Sequence, residues 1–189
     1  IDWLAAAIAL VLIWPLLLIV AAAIRLDSPG PALFTQERRG YRGTNIRVIK
    51  FRTMRAREID STDREAAKTV VADPRITRLG RILRVTRIDE LPQMLNILRG
   101  EMSFIGPRPE ALPLSEWYEA ELPFYRYRHI VKPGISGWAQ VNQGHVAEVN
   151  EVLEKLHYDF YYIKNFSLWL DLLVLLKTVE TVITGKGAR

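Results

Sequence analysis

Residues 3 to 24, WLAAAIALVLIWPLLLIVAAAI, carry no charged side chain. As an α-helix this run reaches about 33 Å, enough to cross the hydrocarbon core of a bilayer. Its length, the lack of a basic flank before it and the lack of a clear cleavage site after it disfavour a secretory signal. Pro15 sits near its middle, beside Trp14. Proline removes a backbone donor and crowds the carbonyl four residues back, so a kink is expected there. Two topologies fit: a kinked span, and a re-entrant helix that dips into the membrane and returns. Apolarity and length by themselves favour the span.

The remaining residues suffice for one domain of ordinary size. Lys and Arg number 26 against 21 Asp and Glu, a net charge of +5. A basic balance points to an anionic partner: nucleic acid, phospholipid or a phosphorylated substrate. Cysteine is absent, which excludes disulfides and thiolate metal sites.

After the apolar run, Ser28-Pro29-Gly30-Pro31 signals a turn. PALFTQE and NIRVIKFRTM both alternate in polarity and are rich in strand formers, with Gly40 and Gly43 between them. They predict a short β-hairpin. From Glu37 to Arg57 there are eight Lys/Arg against one acid. Such a face can lie on anionic lipid, or part of it can grip a phosphorylated ligand, and the two uses are compatible. Residues 58 to 74 are polar, of mixed charge, and read as a mobile helix or loop.

Arg75, Arg78, Arg81, Arg84 and Arg87 follow at intervals of three. On a helix that spacing drifts by about 60° per step, so the five cannot share a face. Ile76, Leu79 and Leu83 fall on one apolar line with Arg81 and Arg84 roughly opposite, the pattern of an amphipathic helix with a solvated basic side. Asp89 and Glu90 come next. Asp89 suits an N-cap, Pro92 the first turn and Gly100 the position past the end, which predicts a helix over Glu90 to Arg99. A helix N-terminus would hold Asp89 ionised near neutral pH. An ionised carboxylate among arginines can act as a nucleophile or a metal ligand, whereas most Asp-Glu pairs do no more than cap.

Pro107 and Pro109 flank Arg108 and stiffen its backbone, a way to present a guanidinium to a phosphate. Residues 125 to 145 form a second loop punctuated by Pro and Gly. His129, His145 and His157 lack metal-ligand spacing. Two helices are expected at the end, over 146 to 164 and over 167 to 185. The second is very apolar but carries Asp171, Lys177 and Glu180, which fits a helix lying in a membrane interface or buried in a core better than a span.

Lined up in order, these pieces resemble the bacterial sugar transferases, the monotopic polyprenyl-phosphate phosphoglycosyl transferases. The resemblance covers nearly the whole chain. It rests on the apolar segment with its central Pro, SPGPALFTQERRG, VIKFRTM, ITRLGRILR, IDELPQMLNILRGEMSFIGPRPE, KPGISGWAQVN and YDFYYIKNFSLWLDL. It implies a mainly α fold with a small β-hairpin, interfacial amphipathic helices, and a re-entrant helix over residues 1 to 24. This replaces the span favoured above. Residues 25 to 189 would be the catalytic domain on the cytosolic face of the bacterial inner membrane.

The implied reaction moves a sugar-1-phosphate from a UDP-sugar to undecaprenyl phosphate with release of UMP, the first membrane step of polysaccharide or glycoconjugate assembly. The family's acidic dyad falls on Asp89 and Glu90. Asp89 would attack the β-phosphorus in a ping-pong scheme, and Glu90, with Asp89, would bind Mg²⁺. Direct attack by the acceptor is the rival, and would leave Asp89 as a metal ligand. Lys50, Arg84 and Arg108 match the family's basic site residues. Arg52, Glu110 and Gln140 are weaker substrate-binding candidates, and Asp159 and Asp171 fall in family segments without an assigned role. Many relatives carry VNGR where this chain has Val141-Asn142-Gln143-Gly144, which leans the donor towards glucose or galactose.

Expected partners are therefore a UDP-sugar, undecaprenyl phosphate, membrane phospholipid and a second copy of the chain as a homodimer. Larger relatives add upstream transmembrane helices and a regulatory domain, so this chain corresponds to their catalytic part. Two other classes were weighed. A nucleic-acid binder has no recognised motif here and leaves the acidic pair without a purpose, so no nucleic acid is expected. An inactive membrane scaffold for polysaccharide assembly is the remaining alternative.

Overall fold

A computed structural model describes residues 1–55, 73–143 and 149–184. Apart from Asp73 and Pro74, the polar segment expected over 58 to 74 lies outside the described residues, as do Gly144, His145 and Gly185. The chain is mainly helical with two small sheets. Helix α1 (Asp2–Asp27) leads into an antiparallel hairpin, β1 (Leu33–Arg39) and β2 (Asn45–Phe51). Then come α2 (Arg78–Val85), a 3₁₀ turn (Ile88–Gln93), α3 (Met94–Leu98), β3 (Ser103–Ile105), α4 (Leu112–Glu121), a second 3₁₀ turn (Tyr125–Ile130), β4 (Gly134–Ser136) and α5 (Trp138–Asn142). Two long helices close it, α6 (Val149–Asn165) and α7 (Leu168–Thr184).

Helix α1 runs through Pro15 as a single uninterrupted element. Strong helix formers, Leu and Ala, on both sides continue the helix past the one missing hydrogen bond, so Pro15 does not end it. It is the only described helix long and apolar enough to cross a membrane. At 26 residues it is about 39 Å long, yet both its ends pack on the same domain. Near its start, Ser103 Oγ donates to Asp2 Oδ2 at 2.5 Å, and Ala6 is buried against Ile46, Val48, Ile97 and Met102. Near its end, Val20 and Ile24 pack with Ala32, Phe51 and Leu83. Trp3, Leu4, Ile8, Val11, Leu12 and Trp14 remain exposed along it.

The hairpin forms where alternation placed it, with Leu33 opposite Phe51 and Arg39 opposite Asn45. The free edge of β2 is closed by a side chain. Asn96, fully buried, accepts from the Ile49 amide at 3.1 Å and donates to the Arg47 carbonyl at 2.7 Å. An amide side chain thus takes the place of a neighbouring strand and ties α3 to β2, with the 88–93 turn beside Lys50. Helix α2 is capped by Thr77, whose hydroxyl accepts from the Gly80 amide at 2.9 Å. A Cβ at Gly80 would fall on the Thr53 backbone, so only glycine lets α2 approach this closely.

A parallel pairing of β3 with β4 joins Ser103 to Gly134 and Ile105 to Ser136, which the sequence pattern did not reveal. Gly106 and Gly134 make this contact possible, because a Cβ on either would strike the other strand's backbone. The helix expected over 146–164 is α6, and the one expected over 167–185 is α7. Ser167 begins α7, accepting at Oγ from the Leu170 amide at 3.2 Å. Leu170 and Val174 pack with Ile105 and Tyr162. The opposite side of α7 exposes Trp169, Leu172, Leu176, Val179 and Ile183.

Replacing Asn96 with Ala leaves the Arg47 carbonyl and the Ile49 amide buried and unpaired. At about 1–3 kcal/mol per group, the variant should lose at least about 2 kcal/mol, read as a lower thermal midpoint of the detergent-solubilised protein. An unchanged midpoint would show that the side chain does not close this edge.

Candidate active site

The acidic pair lies in the 3₁₀ turn Ile88–Gln93, not at the start of an α-helix over Glu90 to Arg99 as the capping pattern predicts. Arg87, in the left-handed region at φ +56, takes the N-cap position, and Asp89 sits one residue inside the turn. Regular α-helix begins only at Met94. Pro92 supplies no backbone donor, which is consistent with the tighter turn around it.

Glu90 is buried and gripped by three cations. Lys50 Nζ, from β2, reaches Glu90 Oε1 at 2.9 Å. Arg108 Nη2, from the Pro-flanked loop, reaches the same oxygen at 2.6 Å. Arg87 Nη1 stands 3.6 Å from Glu90 Oε2. Burial alone would raise the Glu90 pKa, but the charges of Arg108 and Lys50 and the Arg108 hydrogen bond overcome it and hold the carboxyl well below its usual range. Lys50 is lowered to about 8, chiefly by burial, with Glu90 opposing and Arg108 and Arg38 adding to the fall.

Asp89 differs from its neighbour in every respect. It is partly exposed, and no described residue donates a hydrogen bond to it. Its carboxyl is pushed up, first by burial and then by the Glu90 charge, while Lys50, Arg108 and Arg84 pull against this. The direction is opposite to that expected from a helix N-terminus, because burial and the adjacent Glu90 charge outweigh the cations. The turn therefore holds one clamped, charged carboxylate beside one unclamped carboxylate surrounded by positive charge.

The other candidates divide. Arg84 on α2 donates from Nε to Thr53 Oγ1 at 2.9 Å, and its charge acts on Asp89. Lys50, Arg84, Arg108, Asp89 and Glu90 thus share one cluster. Arg52 is used elsewhere: it donates to the Ser28 carbonyl at 2.7 Å and to the Pro29 carbonyl at 2.5 Å, pinning the turn after α1. Gln140 donates to the Ile135 carbonyl at 3.3 Å, and no described contact links it to the carboxylates. Glu110 forms a buried ion pair with Lys155. Lys155 and Arg128 hold its carboxyl low against the opposing effect of burial.

Behind Arg108 stands a second tier. Arg128 and Asp159 form a fully buried ion pair at 2.7 Å. The same guanidinium donates to the Arg108 carbonyl at 2.9 Å and to the Tyr125 hydroxyl at 3.0 Å. Arg38 Nη1 donates to the Pro109 carbonyl at 2.6 Å. The loop carrying Arg108 is thus held from both sides by arginines. Asp159 gains a positioning contact, and Asp171 accepts from the Tyr162 hydroxyl at 2.7 Å. Arg38, Arg87, Arg128 and Lys155 were not singled out from sequence. Only Arg87, adjacent to the acidic pair at the end of the arginine series, carried a local signal.

The two carboxylates also bear on a metal. No group of three or more His, Cys, Asp or Glu clusters among the described residues. Mg²⁺ needs no such cage, since it is commonly held by one or two carboxylates together with substrate phosphates. The free Asp89 and the less crowded Oε2 of Glu90 fit that donor set.

His129 packs beside Tyr125 and stands 3.4 Å from Glu119 Oε1. Burial, followed by the charges of Arg128 and Arg39, lowers it to about 4. At neutral pH it is therefore uncharged and makes no ion pair. In the unfolded chain it takes up a proton near its ordinary value of about 6.5. Stability should be level above pH 6.5 and fall as the pH drops towards 4, because the unfolded state binds the proton first. Thermal midpoints between pH 7 and 5 should fall less in His129→Gln than in the parent. Parallel curves would contradict the assignment.

With this geometry in place, known proteins give it a context. A family profile described as bacterial sugar transferase matches residues 1–185. Over its whole length the chain is 50% identical to the UDP-N-acetylgalactosamine-undecaprenyl-phosphate N-acetylgalactosaminephosphotransferase of Aeromonas hydrophila, and covers 44% of it. It is 46% identical, over 99% of the chain and 70% of the relative, to the UDP-glucose:undecaprenyl-phosphate glucose-1-phosphate transferase of Caulobacter vibrioides. It is 44% identical, over 95% of the chain and 92% of the relative, to an exopolysaccharide production protein of Rhizobium leguminosarum bv. phaseoli. The chain thus spans less than half of the first relative and nearly all of the last. Matched over residues 1–185, the chain belongs to the bacterial sugar transferase family.

Proposed function

We propose that the chain transfers a hexose-1-phosphate from a UDP-sugar to undecaprenyl phosphate, releasing UMP, through a covalent intermediate on Asp89. The observation that carries this reading is the asymmetry of the acidic pair. Glu90 is immobilised by Lys50 and Arg108, whereas Asp89 has no described hydrogen-bond donor and feels the positive charges of Lys50, Arg108 and Arg84. A nucleophile must be free to move onto its target, and a carboxylate nucleophile approaching a diphosphate must be screened. Lys50, Arg84 and Arg108 provide that screening.

In the first step an Asp89 carboxylate oxygen forms a bond to the β-phosphorus as the bond from that phosphorus to the bridging oxygen breaks. UMP departs with the bridging oxygen and its electron pair. In the second step an oxygen of the acceptor phosphate attacks the same phosphorus. The Asp89–phosphorus bond breaks, regenerating the carboxylate and leaving a lipid diphosphate sugar. Mg²⁺ held by Asp89 and Glu90 would neutralise diphosphate charge. Partial desolvation of Asp89 favours its attack, because a carboxylate with fewer water partners is the stronger base.

Two of the relatives above are named for UDP-N-acetylgalactosamine and UDP-glucose. Gln143 replaces the Gly of VNGR, and its side-chain amide is engaged on α6, donating to the Glu151 carbonyl at 2.9 Å. A hexose donor is the reading adopted here. The monotopic, cytosol-facing arrangement is part of the same proposal. It is supported by the packing of both ends of α1 on the catalytic domain, which favours both ends lying on one membrane face.

Protein in nanodiscs with Mg²⁺, undecaprenyl phosphate and UDP-glucose, UDP-galactose or UDP-N-acetylgalactosamine should release UMP with a hexose donor. Asp89→Asn should reduce turnover at least about 10³-fold, as expected for loss of a nucleophile. Undiminished turnover in that variant would reject the covalent role. A cysteine placed at residue 2 should react with a membrane-impermeant reagent only from the cytosolic side, and labelling from the periplasm would refute the monotopic arrangement.

A further inference from the structure

A cavity of about 310 Å³ opens beside the acidic pair, between the 88–93 turn, the β3–β4 pair and α7. Its volume lies at the lower end of the range of ligand pockets, about 300–1,000 Å³. Leu91, Met94, Phe104, Ile135, Leu175 and Val182 supply an apolar wall. Three hydroxyls also line the cavity: Thr86 donates to the Ile82 carbonyl at 2.8 Å, and Ser136 and Thr178 are turned onto each other, Oγ to Oγ1, at 2.5 Å. Thr178 also donates to the Val174 carbonyl. These hydroxyls have little left to offer a sugar or a base, so the wall suits a hydrocarbon.

Two further observations define the occupant. Leu175 lines the cavity and is also half-exposed, on the side of α7 that exposes Leu172, Leu176 and Val179. The slot is therefore continuous with the surface best suited to contact lipid. Glu90 and Arg87 line the same cavity. Arg87 is the most loosely engaged of the three cations on Glu90, at 3.6 Å against 2.9 and 2.6 Å. It also occupies the left-handed region, which a non-glycine residue adopts only at an energetic cost. Such strain is characteristic of positions where function dictates the backbone.

Resting on the reaction proposed above, we infer that this cavity receives the phosphate-proximal isoprene units of the acceptor lipid, with Arg87 at its rim pairing with the acceptor phosphate. The slot is too small for the whole chain, so the rest of the lipid lies along exposed α7 in the bilayer. The apolar tail enters from the lipid side and brings its phosphate towards Glu90 and its neighbour Asp89. The inference thus accounts for why an apolar helix packs beside a charged site.

The test combines photolabelling with kinetics on the full chain in nanodiscs. A prenyl phosphate carrying a diazirine on its phosphate-proximal isoprene units should label peptides of α7 or the 88–94 segment, and undecaprenyl phosphate should compete. Thr178→Trp or Val182→Trp should raise the acceptor KM at least tenfold. Neither should change the UMP released in the first turnover without acceptor. Arg87→Gln, which leaves the slot's shape intact, should also raise the acceptor KM. Competed labelling confined to other segments, or an unchanged acceptor KM in a folded Trp variant, would overturn the inference. Competed labelling of α7 in a parent protein that releases no UMP from any donor would support the slot and reject the reaction instead. The labelling arm uses the parent protein, so it decides the matter even if both Trp variants fail to fold.

Discussion

The Glu90 carboxylate joins the parts of this molecule. Lys50 reaches it from the hairpin, Arg87 from the start of the 3₁₀ turn that follows α2, and Arg108 from the loop between β3 and α4. These segments are distant in sequence, and each brings a positive charge that would repel the others without Glu90. One buried anion among several cations is stable only if geometry and further hydrogen bonds offset its desolvation. Asn96 on β2, and Arg128 and Arg38 on either side of Arg108, provide that geometry. The positive field left over falls on Asp89, which is the feature the proposed chemistry uses.

The same architecture explains how a charged site can sit beside a membrane. Helix α1 packs at both ends on the domain that carries the site, while its middle and one side of α7 remain apolar and exposed. In the proposed reaction, aqueous and lipid substrates would then reach the same turn from different sides. The donor needs cations, which β2, α2 and the Arg108 loop present. The acceptor needs an apolar path, and α7 lies next to one.

What could be read from sequence follows from how local each signal is. The hairpin, the amphipathic helix and the two closing helices announced themselves through periodicity. The segments bearing Asp89, Glu90, Lys50, Arg84 and Arg108 were visible because motif order was matched along the chain. Signals that depend on distant partners were not legible. The capping reading of Asp89 failed because Arg87 adopts the left-handed region and a 3₁₀ turn replaces the first helical residues. Arg52, a weaker substrate-binding candidate, donates to two carbonyls of the turn after α1, contacts that no local pattern marks. The Arg128–Asp159 pair and the β3–β4 pairing join residues about 30 positions apart with no local periodicity to mark them.

The central claim is that Asp89 is the unclamped nucleophile beside a clamped partner. Its most direct test is the mass of the intact protein and of its Asp89-bearing peptide, quenched in acid after exposure to the UDP-sugar and Mg²⁺ without acceptor. The account predicts a mass increase of one hexose phosphate on Asp89, formed with an equivalent of UMP and removed on adding undecaprenyl phosphate. Full turnover with acceptor, but neither adduct nor UMP without it, would contradict the account and point to direct transfer between the two substrates.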